Sequence, residues 1–185
     1  MVSLHFYLIV LKLMPNKKDT DSAYYLNAEL PVEFSVEMSD GIFEIGNKQL
    51  LHFGSQGNNS RRIVIIDLKV SKLYLDIVKK YFEAFDVNCS IIIIDATEEN
   101  KNVNTLLFLL DEIESLGPNR KNEPLIAVGG GVLLDIVGMA AGLYRRGIPY
   151  IKVPTTLLGI VDASVGVKTG INFKDRRNRL GSYFP

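Results

Sequence analysis

The chain has 185 residues, 47% of them hydrophobic and 23% charged, which is enough for one soluble domain with an apolar core. Its 21 Lys and Arg balance its 21 Asp and Glu, so the electrostatic case for a nucleic-acid partner is removed, while a local basic pocket stays possible. A single cysteine, Cys89, excludes an internal disulfide and reads as a small buried apolar residue.

Residues 4–11 form an apolar run too short to span a bilayer. The nearest basic residues, Lys12, Lys17 and Lys18, follow the run, and no small-residue cleavage pattern comes after it, so a signal peptide is not expected. Residues 1–24 are therefore read as a ragged or extra N-terminal segment, ending in a polar linker. An α/β domain over 25–185 is expected to follow, in the cytoplasm and without a membrane partner. Residues 31–45 alternate apolar and polar, as a half-buried strand does, with Asp40-Gly41 as a possible hairpin turn. Residues 55–62 read as a loop.

From there a repeated pattern begins. The runs 63–66 and 91–94 are wholly apolar and β-branched, as buried parallel strands are. Residues 71–85 and 102–116 carry apolar side chains at helical spacing. A third strand over 125–128, a third helix over 132–143 and a fourth strand over 149–153 complete the series. Strand and helix alternate, which predicts an α/β fold with a Rossmann-like parallel sheet flanked by helices.

The third strand runs straight into Gly129-Gly130-Gly131, and a helix follows. Ligands of such sheets bind at the carboxyl ends of strands, where a helix N-terminus offers unpaired N–H groups to a phosphate. Glycines let the backbone approach that group closely. A tight strand-to-helix turn that binds nothing is the competing reading. Asp135 is the other polar group there, and an acidic residue near a helix start is often only a dipole partner.

Five blocks then occur in order: Gly129-Gly130-Gly131-Val132-x-x-Asp135; Tyr144-Arg145-Arg146-Gly147; Val153-Pro154-Thr155-Thr156; Val161-Asp162-Ala163-Ser164-Val165-Gly166-x-Lys168-Thr169-Gly170-x-Asn172; and Asn178-Arg179-Leu180-Gly181-Ser182-Tyr183. Together they resemble the sugar phosphate cyclases, the superfamily of dehydroquinate synthase. The resemblance implies an N-terminal NAD-binding domain and a C-terminal helical domain that holds a divalent metal, zinc or cobalt. It implies a cycle of hydroxyl oxidation, phosphate elimination, ketone reduction and aldol closure, so a carbon–oxygen lyase acting on a sugar phosphate. Gly166, Lys168, Thr169 and Gly170 resemble the branch that converts sedoheptulose 7-phosphate to 2-epi-5-epi-valiolone. 3-Dehydroquinate synthase and desmethyl-4-deoxygadusol synthase are the alternatives, and an inactive NAD-binding remnant is another.

The resemblance also implies roles. Asp67 matches an acidic group near the adenosine end of NAD, although a helix N-cap fits it as well. Glu98 and Lys101 match an adenosine-side contact, with a solvated i,i+3 pair as the alternative. Gly130, Gly131 and Asp135 match the pyrophosphate turn. Thr155 and Thr156 match a pair near the nicotinamide, or else a capped strand end. Asp162 and Lys168 match catalytic groups that meet both substrate and cofactor, and their apolar neighbours predict that both are buried. Arg146, Lys168 and Asn178 match groups that hold the substrate phosphate. Arg177 stands where the family commonly has Lys, beside NAD. The two histidines, His5 and His52, precede the glycine turn and form no metal-like cluster, so metal ligands are expected only in a longer, complete and homodimeric enzyme.

Overall fold

Four parallel strands form the frame. They are β1 (Arg61–Asp67), β2 (Asn88–Ile94), β3 (Leu125–Gly129) and β4 (Tyr150–Pro154), side by side in the order β2-β1-β3-β4. The structure, a computed structural model, describes residues 33–52 and 61–184. The expected segment over 1–24 and residues 55–60 of the expected loop lie outside these. Arg61 and Arg62, assigned to that loop, instead begin β1.

The strands form where the apolar β-branched runs are, because both faces of the sheet are covered. Ile63, Ile65, Leu125 and Ala127 face α3 (Val103–Leu116) and α4 (Gly131–Leu143), meeting Leu106, Leu109, Ile113, Leu133 and Val137. Val64, Ile66, Ile126 and Val128 face α2 (Leu68–Ala84) and the short α1 (Gln49–His52), meeting Val78, Tyr81, Phe82 and Leu50. α3 starts at Asn102, whose side chain accepts from the Thr105 N–H, and ends at Gly117, whose φ of 55° is the left-handed conformation that favours glycine. Cys89 is half-buried beside the second core, where burial pushes its thiol up to about 12. It is an inert packing residue. Among the described residues no helix is long and apolar enough to cross a membrane.

Two expectations are corrected. Residues 33–38 form no strand and are exposed, Phe34, Val36 and Met38 included, and the segment continues through turns at 40–46. Alternation without a partner strand leaves its backbone unpaired, so the pattern alone does not make a strand. The second correction is an antiparallel hairpin, β5 (Lys168–Phe173) and β6 (Arg176–Tyr183), that the periodicity does not announce. Its turn residues Lys174 and Asp175 both have positive φ (47° and 60°), matching the twist that two-residue hairpin turns require. The hairpin packs on α4, where Gly138 lies against Thr169 and Tyr150.

Candidate functional site

β1 pairs with β2 on one side and β3 on the other. The chain leaves β1 in one direction and returns on the other, so a crevice opens at the carboxyl ends of β1 and β3. Asp67 ends β1 and Gly129 ends β3. α2 and α3 begin with capping side chains, Asp67 and Asn102, but α4 begins at Gly130 with no side-chain cap. The N–H groups of its first turn and the positive end of its dipole therefore face the crevice without a side-chain acceptor. None of the three glycines has positive φ. Two are required by close approach instead: a Cβ on Gly129 would lie 2.6 Å from Leu133 Cδ2, and one on Gly130 would lie 3.2 Å from Thr156 Cγ2. A Cβ on Gly131 would meet only Ala163, at 3.7 Å.

Asp135, one turn into α4, meets Lys101 from the loop after β2. The Lys101 ammonium donates to Asp135 Oδ2 at 2.5 Å and to Asn178 Oδ1 at 2.8 Å. Lys101 is 5% exposed. Burial pushes the Asp135 carboxyl up, and the Lys101 ammonium pulls against that rise. Asn178 reaches the pair because β6 bulges. Ile171 pairs with Leu180 and Phe173 with Arg176, so residues 177–179 face Asn172 alone. Asn178 takes φ 50° there, a conformation asparagine tolerates. Asn172, quoted in the sequence blocks but given no role, straps the arrangement together. Its Oδ1 accepts from the Asn178 N–H at 2.9 Å, its Nδ2 donates to Glu98 Oε1 at 2.9 Å, and its own N–H donates to the Lys101 carbonyl at 2.7 Å. A groove of about 250 Å³ beside them is lined by Asp135, Lys168, Thr169, Gly170, Asn178 and Ser182, among others.

The other expected residues divide into those near this groove and those apart from it. Glu98 and Lys101 do not form a solvated pair with each other. Glu98 instead meets Arg177, at 3.6 Å with the Arg177 side chain 80% exposed. Asp67 is an N-cap: Oδ1 accepts from the N–H groups of Lys69 and Val70, and Oδ2 accepts from Ala96 N–H. Thr156 caps the turn after β4, its Oγ1 accepting from Gly159 N–H at 3.1 Å, while the Thr155 N–H donates to the Gly129 carbonyl at 3.0 Å.

Asp162 and Lys168 are exposed, which corrects the expectation of burial. Their apolar neighbours Leu157, Leu158, Ile160, Val161 and Val165 are exposed too, so these residues desolvate nothing. Arg146 is not gathered with the others. It lies at the far end of α4, beside the amino ends of β3 and β4, a helix of 13 residues away, or about 20 Å at 1.5 Å per residue. Lys152 of β4, which the sequence reading passed over, is half-buried, and the charge of Asp135 opposes the downward push of burial on its ammonium. A cation in an otherwise apolar strand was the signal available for it.

Comparison with known proteins gives a consistent setting. Residues 91–185 match the family model described as 3-dehydroquinate synthase N-terminal. A 2-epi-5-epi-valiolone synthase from Streptomyces albus is 46% identical over 169 residues, covering 91% of this chain and 41% of that protein. The solved 2-epi-5-epi-valiolone synthase from Streptomyces hygroscopicus subsp. jinggangensis, with NAD+ and Zn2+ bound, is 38% identical with a TM-score of 0.80, over 88% of this chain and 43% of the other. A 2-deoxy-scyllo-inosose synthase, complexed with carbaglucose-6-phosphate, NAD+ and Co2+, is 32% identical with a TM-score of 0.62, over 69% of this chain and 35% of the other. The chain thus spans about two fifths of the length of the curated relatives it matches.

Proposed function

The chain belongs to the family of the 3-dehydroquinate synthase N-terminal domain, and on that premise we propose that it is the NAD- and phosphate-binding part of a sugar phosphate cyclase. The reaction we assign to the whole enzyme converts sedoheptulose 7-phosphate to 2-epi-5-epi-valiolone with loss of phosphate. The similarity to valiolone synthases supports that substrate. One observation carries the reading: the buried Lys101 ammonium ties Asp135, on the helix that begins at the glycine turn, to Asn178, on the hairpin that lines the groove.

A dinucleotide fits the residues present, because the uncapped α4 start offers donors to a pyrophosphate at the sheet's crevice. NAD, when bound there, supplies reversible hydride acceptance. The amides of Gly131 and Val132 hold the pyrophosphate, with Gly130 leaving the approach open. Asp67 already accepts three N–H groups, and a carboxylate has about four acceptor positions, which leaves one for a ribose hydroxyl. Glu98 and Arg177 flank the adenosine side. The Thr156 oxygen is engaged as an acceptor, so its proton is free to donate toward the nicotinamide end, next to Thr155. Lys168 and the Asn178 amide face the substrate phosphate, Asp162 accepts from a substrate hydroxyl, and Asp162 and Lys168 also meet the nicotinamide riboside. Arg146, at the opposite edge, has no part in this chain's own groove. Among the described residues no group of three or more His, Cys, Asp or Glu is placed to hold a metal ion, so no step in this chain is routed through one.

Calorimetric titration with NAD tests the reading. The chain is expected to bind NAD, and Asp135→Ala to lose about tenfold or more in affinity, as follows from removing a charged hydrogen-bond partner. Equal heats for the two proteins, or no heat for either, contradict it.

A further inference from the structure

Lys152 sits in β4 between Ile151 and Val153, which pack into the core on the α2 side of the sheet. Its own side chain points the other way, with that of Tyr150, whose ring packs with the α4-side core. The Lys152 ammonium lies 5.4 Å from the Tyr150 ring centroid. It donates to the Ala163 carbonyl at 3.0 Å and to the Gly166 carbonyl at 2.6 Å.

Those two carbonyls bracket the exit of the wide helical turn Gly159–Ala163, which carries Asp162 and leads into Lys168. Two amides that follow the turn close back onto it: Ser164 N–H donates to the Gly159 carbonyl and Gly166 N–H to the Asp162 carbonyl. A cation placed over the last carbonyls of a helical turn does the work of a C-terminal cap. Holding a half-buried charge in this position is costly, and a long apolar side chain would fill the space without that cost. Asp135 of α4 is the carboxylate that bears on the same ammonium. One cation thus joins β4 to the Asp162 turn, within the field of Asp135 on the helix that starts at the glycines.

We propose that Lys152 is a positioning residue that sets Asp162 and Lys168 relative to the α4 N-terminus by pinning the Ala163 and Gly166 carbonyls. The inference rests on the proposed cofactor and phosphate site, because it assigns Lys152 a role through groups of that site.

Two variants and two readouts test it. Lys152→Met keeps the length and removes the charge, while Lys152→Arg keeps the charge. Amide exchange at Ser164 and Gly166 is compared with exchange at Ile65 and Ala127 in the sheet, and NAD affinity is measured in parallel. In Lys152→Met, exchange at the two turn amides is expected to rise about tenfold, the sheet amides to stay unchanged and NAD affinity to fall severalfold, as the loss of two charged hydrogen bonds to a local element implies. Lys152→Arg is expected to recover most of both effects. Unchanged exchange at Ser164 and Gly166 overturns the proposal. A rise spread equally over the sheet also overturns it, since that marks a weaker sheet. Faster turn exchange with unaltered NAD affinity overturns the positioning role when Asp135→Ala does lose NAD. If Asp135→Ala also binds NAD normally, the cofactor reading is what fails, and the exchange result still supports the pin.

Discussion

Among the described residues, Lys101 is buried with Asp135 as its one ionised partner and Asn178 as its second acceptor. Breaking a buried pair by removing one member typically costs about 3–5 kcal/mol. The Asp135 side chain is 24% exposed, so water takes over part of its solvation. Lys101→Met is accordingly expected to lower the unfolding free energy by about 2 kcal/mol. Combined with Asp135→Leu it should cost less than the sum of the two, with a coupling of about 1–2 kcal/mol in urea titrations. A coupling near zero would show that the contact carries no stability. This pair is also where residue-level reading of the sequence reached its limit. Glu98 and Lys101 are three apart, and spacing alone pairs them with each other. In the fold they diverge, Lys101 into the core and Glu98 toward Arg177 and Asn172. The burial expected of Asp162 and Lys168 failed for a related reason: apolar neighbours in sequence do not desolvate a charge unless they are themselves covered.

β1 to β4 were legible because a strand covered on both faces reads as a largely apolar run, and Ile63 to Ile66 and Leu125 to Val128 are unbroken apolar runs. β5 and β6 were not, because Lys-Thr-Gly-Ile-Asn-Phe and Arg-Arg-Asn-Arg-Leu-Gly-Ser-Tyr lack alternation and contain glycines that usually mark loops. Those glycines have a packing reason, since Gly170 pairs with Gly181 across the hairpin, where a Cβ on Gly181 would lie 2.6 Å from the Thr169 carbonyl oxygen. The same close approach holds the hairpin to α4. A Cβ on Gly138 would lie 2.4 Å from Thr169 Cγ2 and 2.9 Å from the Tyr150 hydroxyl. Alanine favours a helix over glycine by about 1 kcal/mol, yet overpacking a tight contact costs about 1–3 kcal/mol. Gly138→Ala is therefore expected to destabilise the chain by up to about 2 kcal/mol and to loosen the hairpin, with β5 amides exchanging faster than those of β1. A gain in thermal stability would show that Thr169 and Tyr150 yield without cost.

Across the whole molecule, the strand order β2-β1-β3-β4 places its two edges far apart in chemistry. The carboxyl edge holds the glycine turn, Lys101, Asp135, Asn178 and the groove, while the amino edge holds Arg146. The alternation of strand and helix already implied a ligand at the carboxyl edge. It did not reveal that Arg146 would fall on the other edge, because the five sequence blocks follow chain order, and α4 carries the chain from one edge to the other between the first block and the second. We propose that NAD is held at the carboxyl edge by the α4 N-terminus. The most direct measurement is mapping of amide shifts in NMR spectra of this chain as NAD is added. Shifts are expected to concentrate at Gly130, Gly131, Val132, Asp135, Thr156, Lys168 and Asn178, with Arg146 and Gly147 unmoved. Saturating NAD that leaves the Gly130–Asp135 amides in place, or moves chiefly those around Arg146, would contradict it.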